Sequence, residues 1–64
     1  MSDMGNVRAS VSTWKTAIDA LTGKNRKNAY IQQYANQMGD QVVCILKLYV
    51  QDGDATGITN FIAN

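Results

Sequence analysis

The segment from Asp52 to Ala63 contains the residue types and the spacing of a metal-binding loop. An EF-hand calcium loop places oxygen ligands at positions 1, 3, 5 and 9 and a bidentate glutamate at position 12. Here Asp52, Asp54, Thr56 and Asn60 fall at the oxygen positions, but position 12 is Ala63. Because two carboxylates without the bidentate acid bind calcium weakly, we predict no metal and no cofactor. The segment is better interpreted as an interhelical turn in which Asp54 caps the following helix.

Catalytic chemistry lacks its usual residues in this chain. The sequence has no histidine and no glutamate, so the commonest general bases are missing. The single cysteine, Cys44, lies in an apolar stretch where Lys47 is the only nearby cation. A thiol without a base or a partner that lowers its pKa is a poor nucleophile, and we interpret Cys44 as a small core residue. We therefore predict that the protein is not an enzyme.

One short segment combines cations with aromatic residues, a composition typical of macromolecular binding. The candidate partner-binding residues are Lys24, Arg26, Lys27, Tyr30 and Tyr34. Cations at the start of a helix oppose the helix dipole at a cost of a few tenths of a kcal/mol, which can indicate contact with an acidic partner or a phosphate. Tyrosine and arginine are also enriched among interface hot spots. A solvated helical-hairpin tip is the alternative interpretation.

Apolar residues recur with the period of an α-helix along most of the chain. In the first half, they step by four, three, four and three residues: Val7, Val11, Trp14, Ile18 and Leu21. A second stripe continues through Gly39 without a phase change: Ile31, Ala35, Met38, Val42, Ile45 and Tyr49. A third group near the end has helical spacing: Ile58, Phe61 and Ile62. These patterns predict helices at about 7–22, 26–51 and 55–63.

The segment 41–51 also fits a second secondary structure. Alternate residues from Val42 to Val50 are apolar, and β-branched residues and tyrosine favour strands. The predicted fold class is all-α, a helical hairpin with a short C-terminal helix, and the alternative is an α+β fold with 41–51 as a strand. The unbroken stripe through Gly39 favours the helix.

The segment 42–50 is apolar around most of its circumference when it is drawn as a helix. A helix that is apolar on all sides must be enclosed by other chain, and 64 residues provide little surface for this. We therefore predict a homodimer in which the self-association surface comprises Val42, Val43, Leu46 and Val50.

Composition limits the remaining possibilities. The 64 residues make a single small helical domain, with a net charge of +1 and one cysteine that cannot form an internal disulfide. The longest apolar stretch is too short to cross a membrane as a helix, and we expect a cytoplasmic protein without membrane association. The predicted function is a small protein-binding module that occupies a surface of a larger protein as inhibitor, adaptor or assembly factor. Its size would suit a protein encoded by a phage or mobile element. The alternative is a nucleic-acid-associated regulator that uses the basic turn from Lys24 to Lys27.

Overall fold

Four helices make up the structure, a computed structural model that describes residues 4–63 and their side chains from residue 8 onward. The helices are α1 (Met4–Ala20), α2 (Lys24–Met38), α3 (Asp40–Asp52) and α4 (Thr56–Ala63). No strand occurs among residues 4–63. The predicted all-α fold is confirmed, and the alternative strand at 41–51 is wrong because this segment forms α3.

The predicted continuous helix over 26–51 is also wrong, because the chain turns at Gly39. Gly39 has φ 82° and ψ 162°, a conformation that is accessible essentially only to glycine. Its N–H donates to the carbonyl of Ala35 at the end of α2, and its own carbonyl accepts from the N–H of Val43 in α3. A single residue therefore ends one helix and begins the next. A continuous helix of that length would be roughly 38 Å long, whereas the molecule measures 34 Å along its longest axis.

The apolar stripe continues across this break because α2 and α3 contribute to the same core. Ile31 and Met38 are buried in α2, and α3 continues with Val42, Leu46 and Val50, each separated by four residues. The predicted stripe instead passed through Ile45 and Tyr49, which are only partly buried. The spacing of the apolar residues alone could not distinguish one straight helix from two helices that fold onto one another.

The core lies between all four helices. The most extensive pairing is between α2 and α3, while α4 packs against both α1 and α3. Eight residues are buried among those whose side chains the structure describes: Val11, Ile18, Ile31, Met38, Val42, Leu46, Val50 and Ile58. Gly57 allows α4 to approach α3 closely, since a Cβ at this position would lie 2.9 Å from the Cγ2 of Ile45. No helix within residues 4–63 is long and apolar enough to cross a membrane.

Candidate protein-binding site

The basic turn lies where α1 ends, α2 begins and α3 ends. Lys27 Nζ donates a hydrogen bond of 2.6 Å to the carbonyl of Ile18, in the last turn of α1. Lys24 Nζ donates one of 3.1 Å to the carbonyl of Gln51, in the last turn of α3. The last carbonyls of a helix lack the usual partner within the helix, and a cation there is also favoured by the helix dipole. The Ile18 carbonyl additionally accepts a hydrogen bond of 3.0 Å from the N–H of Leu21. We call this arrangement the three-helix corner, defined by Ile18, Lys24, Lys27 and Gln51.

The three-helix corner changes the interpretation of the basic turn. The sequence places three cations at a helix start, where they carry an electrostatic cost. The structure places two of them, Lys24 and Lys27, against the C-terminal ends of two other helices, which offsets that cost within the chain. A continuous helix over 26–51 would place the basic turn far from residues 42–50, but the break at Gly39 prevents this arrangement. Because α3 folds back along α2, Val50 and Lys27 line the same cleft.

A polar network joins α1 to α3 next to this corner. The Tyr49 hydroxyl donates a hydrogen bond to Oδ1 of Asp19, and Lys15 Nζ donates to Oδ2 at 3.0 Å. Lys15 Nζ also lies 5.0 Å from the centroid of the Tyr49 ring. The hydrogen bond from Tyr49, followed by that from Lys15, lowers the pKa of Asp19 below its usual value. The same bonds to Asp19 raise the pKa of Tyr49 and of Lys15.

An open cleft of about 210 Å³ lies between the corner and this network. Its lining residues are Asp19, Lys27, Tyr49, Val50 and Gly53. The polar groups of three of them already have partners within the chain. The Tyr49 hydroxyl donates to the Asp19 carboxylate, and the Lys27 ammonium donates to the carbonyl of Ile18 at the end of α1. Within residues 4–63, no group of three metal-binding side chains lies together. The cleft is therefore best explained as part of the interhelical contact.

The other predicted partner-binding residues lie along one flank of α2. Arg26, Tyr30 and Tyr34 are spaced by four residues and so follow one side of the helix. The rings of Tyr30 and Tyr34 contact each other with centroids 4.7 Å apart, and both pack partly against the core. Desolvation, and secondarily the neighbouring Tyr34, raises the pKa of Tyr30. Arg26 is exposed and makes no hydrogen bond or ion pair with residues 4–63.

The exposed amide side chains of α2 are a surface feature that was not predicted from the sequence. Six asparagine and glutamine residues of this helix are exposed: Asn25, Asn28, Gln32, Gln33, Asn36 and Gln37. No charged residue occurs from position 28 to position 39. The signal was present in the composition of this segment, but only the helix bounds show that these amides lie on the outside. Gln33 and Gln37 lie on the same flank as the tyrosines, since residues three or four apart share a face. We define the α2 face as Arg26, Tyr30, Gln33, Tyr34 and Gln37.

The predicted self-association residues belong mainly to the core of a single chain. Val42, Leu46 and Val50 are at most 7% exposed, and Val43 is partly buried. One chain thus encloses most of the apolar segment that the sequence analysis considered too large for it. The outer side of α3 carries Cys44, which is exposed rather than a core residue, and Leu48, which is 50% exposed.

The segment at 52–63 forms a turn followed by α4. Gly53 has the left-handed conformation that commonly ends a helix, and its N–H donates to the carbonyl of Tyr49. Asp54 Oδ1 accepts a hydrogen bond of 2.9 Å from the N–H of Thr56, the first residue of α4. Hydrogen bonding by Thr56 also lowers the pKa of Asp54. The predicted capping role of Asp54 is confirmed.

Comparisons with protein-family models, with curated protein sequences and with solved structures found no match to this chain. Its function is therefore inferred from the geometry and chemistry of its own residues.

Proposed function

We propose that this protein is a small, non-enzymatic protein-binding module that acts by occupying a surface of a larger protein, as inhibitor, adaptor or assembly factor. The observation that supports this proposal is the α2 face, which combines a contacting tyrosine pair, two exposed amides and an exposed arginine. Protein interfaces are enriched in tyrosine and arginine and depleted of lysine and acidic residues. Tyrosine is likewise common in the binding loops of antibodies.

The three-helix corner supports the proposal because it fixes the start of α2. Lys24 and Lys27 attach this end of the helix to α3 and α1, and Ile31 anchors its middle in the core. A surface that is rigid before binding loses less conformational entropy when the complex forms. The tyrosine rings are also restrained, since they contact each other and the core. The α2 face is therefore organised before a partner arrives.

A paired charge substitution tests the site. Gln33→Glu with Gln37→Glu places two carboxylates on the α2 face, whereas Asn28→Asp with Gln32→Glu places two on the other flank of the same helix. Proteins captured by the wild-type chain would be identified by mass spectrometry, and one partner would then be purified for calorimetry. We expect the first pair to weaken binding about tenfold or more and the second pair to leave it nearly unchanged. Thermal unfolding confirms that both variants are folded, and equal binding by the two would contradict the proposal.

Binding to a nucleic acid is the second candidate function. The observation that favours it is that α2 has three cations, no acid and exposed amides, which can pair with base edges. The salt dependence of binding distinguishes a nucleic-acid partner from a protein partner. A complex with six to ten phosphate contacts loses affinity by about 10³-fold or more between 50 and 200 mM salt. Docking through tyrosines and amides is much less sensitive. The net charge of +1 and the internal bonds of Lys24 and Lys27 favour a protein partner.

We also propose that the protein forms a homodimer in the cytoplasm. Since Val42, Leu46 and Val50 are buried within one chain, we place the contact on the outer side of α3, where Leu48 is 50% exposed. Gln41, Cys44, Leu48 and Gln51 lie on this side of the helix, and Cys44 and Leu48 are its apolar residues. This contact would leave the α2 face free for the larger partner.

A further inference from the structure

We propose that the partner of the α2 face is an acidic protein surface whose carboxylates meet Arg26 at one edge of the contact. This inference rests on the proposed function and adds the chemistry of the partner to it. Three observations carry it: the uneven distribution of charge along the chain, the different engagement of the three cations of α2, and the uncharged remainder of the α2 face.

Charge is strongly segregated in this protein. Of its six basic and five acidic residues, α2 has three of the bases and none of the acids. The rest of the chain thus carries three bases and five acids. A positive helix on a molecule of net charge +1 presents a local field that steers acidic surfaces towards it and repels basic ones. The helix has no acidic residue of its own to neutralise that field.

The three cations of α2 differ in whether the chain itself already holds them. The ammonium groups of Lys24 and Lys27 donate to the helix-end carbonyls of Gln51 and Ile18. Arg26 lies between them in sequence, is exposed, and has no hydrogen bond or ion pair with residues 4–63. A guanidinium group binds a carboxylate through two parallel hydrogen bonds, which gives geometric specificity as well as affinity. The two lysines add positive potential while Arg26 makes the direct contact.

The rest of the α2 face is uncharged, and this restricts where the acidic residues of the partner can lie. From Arg26 to Gln37 the face extends roughly 17 Å along the helix, at about 1.5 Å per residue. Beyond Arg26 the face presents tyrosines and amides. These side chains are uncharged and form hydrogen bonds with polar groups. A carboxylate buried against this part would lose hydration without gaining a cation. The acids are therefore expected at the edge near Arg26, and the surface opposite Tyr34 and Gln37 is uncharged.

Selection from a random peptide display library on the immobilised full-length chain provides the test, with affinities of selected peptides measured by fluorescence anisotropy. We expect the selected peptides to be enriched in Asp and Glu relative to the starting library. Arg26→Glu should weaken them about tenfold or more, and Arg26→Lys should weaken them by a smaller factor, because lysine keeps the charge but not the paired hydrogen bonds. The matched control is Lys47→Glu, which reverses an exposed cation on α3 and should have little effect.

The outcomes distinguish this inference from the proposed function. Peptides that are weakened by Gln33→Glu with Gln37→Glu, but show no acidic enrichment, would overturn the inference and leave the protein-binding proposal intact. If no selected peptide is sensitive to substitutions on the α2 face, both fail. A 20-base-pair DNA duplex would be measured in parallel at 50 and 200 mM salt. Tighter binding to this duplex than to any peptide, lost in Arg26→Glu, would identify a nucleic acid as the ligand instead.

Discussion

Tyr49 contributes to the structure through both parts of its side chain. Its ring packs against the core with Lys15 over one face, and its hydroxyl donates to the carboxylate of Asp19. Tyr49 belongs to α3 and Asp19 to α1, so one hydroxyl joins two helices that are distant in sequence. Because the network is largely solvent-exposed, its contribution to the free energy of unfolding is modest.

Tyr49→Phe should lower the free energy of unfolding by roughly 0.5–1 kcal/mol at neutral pH. The lowered pKa of Asp19 means that its stabilisation is present above the unfolded value of 3.8 and is lost as pH falls through the folded pKa. The raised pKa of Tyr49 means that its stabilisation is present below 10.0 and is lost as pH rises through the folded pKa. The difference in the free energy of unfolding between wild type and Tyr49→Phe, measured by urea titration, should therefore be largest between about pH 5 and pH 9. It should become smaller outside that range.

Tyr34→Phe is the matched control for this measurement. The Tyr34 hydroxyl makes no hydrogen bond with residues 4–63, while its ring has the same kind of partial burial as that of Tyr49. We expect its removal to change stability little between about pH 5 and pH 9. A difference between wild type and Tyr49→Phe that does not vary with pH would contradict the ionisation argument, since packing of the ring alone is independent of pH.

The sequence predicted the local roles of individual residues better than their contacts with distant parts of the chain. The capping role of Asp54 followed from its position before an apolar group, because a cap is a local interaction. The engagement of Lys24 and Lys27 could not be predicted, since it depends on the ends of α3 and α1 lying beside the start of α2. The exposure of Cys44 depends likewise on how α3 is rotated about its axis.

At the scale of elements, the path of the chain is decided at Gly39. Periodicity correctly predicted helix on both sides of this residue, and also the helices near the two ends of the chain. Periodicity could not detect the turn. A glycine that ends a helix and a glycine at a close crossing of two helices look the same in the sequence. At Gly39 a Cβ would meet no atom within 4 Å, so the requirement there is the positive φ and not space.

Gly39→Ala should destabilise the protein by about 1–3 kcal/mol, because alanine is strained at φ 82° and ψ 162°. The free energy of unfolding from urea titration, followed by circular dichroism, measures this loss. Gly53→Asn is the control, since asparagine tolerates the left-handed conformation of Gly53 at a small cost. If α2 and α3 formed one continuous helix in solution, Gly39→Ala would instead stabilise the protein by about 1 kcal/mol through helix propensity.

At the scale of the whole molecule, the central question is how much apolar surface one chain leaves exposed. Among residues 8–63, eight apolar side chains are buried, and they include three of the four residues predicted to form the self-association surface: Val42, Leu46 and Val50. Leu48 remains half-exposed and Ile62 is 36% exposed. A chain of this size buries only about 60% of the surface of its unfolded state, so association can still add to a modest stability.

Leu48→Lys should abolish dimerisation without unfolding the chain, because Leu48 lies on the outer side of α3 and is 50% exposed. Leu46→Asp should instead unfold or aggregate it, since Leu46 is fully buried and an aspartate there would have no partner. Sedimentation equilibrium over a range from micromolar to several hundred micromolar would give the oligomeric state of each variant, and circular dichroism would show whether it is folded. A folded wild-type monomer across the whole range would contradict the dimer. A folded wild-type dimer that Leu48→Lys leaves intact would place the contact elsewhere, and Ile62 on α4 would then be the next residue to substitute.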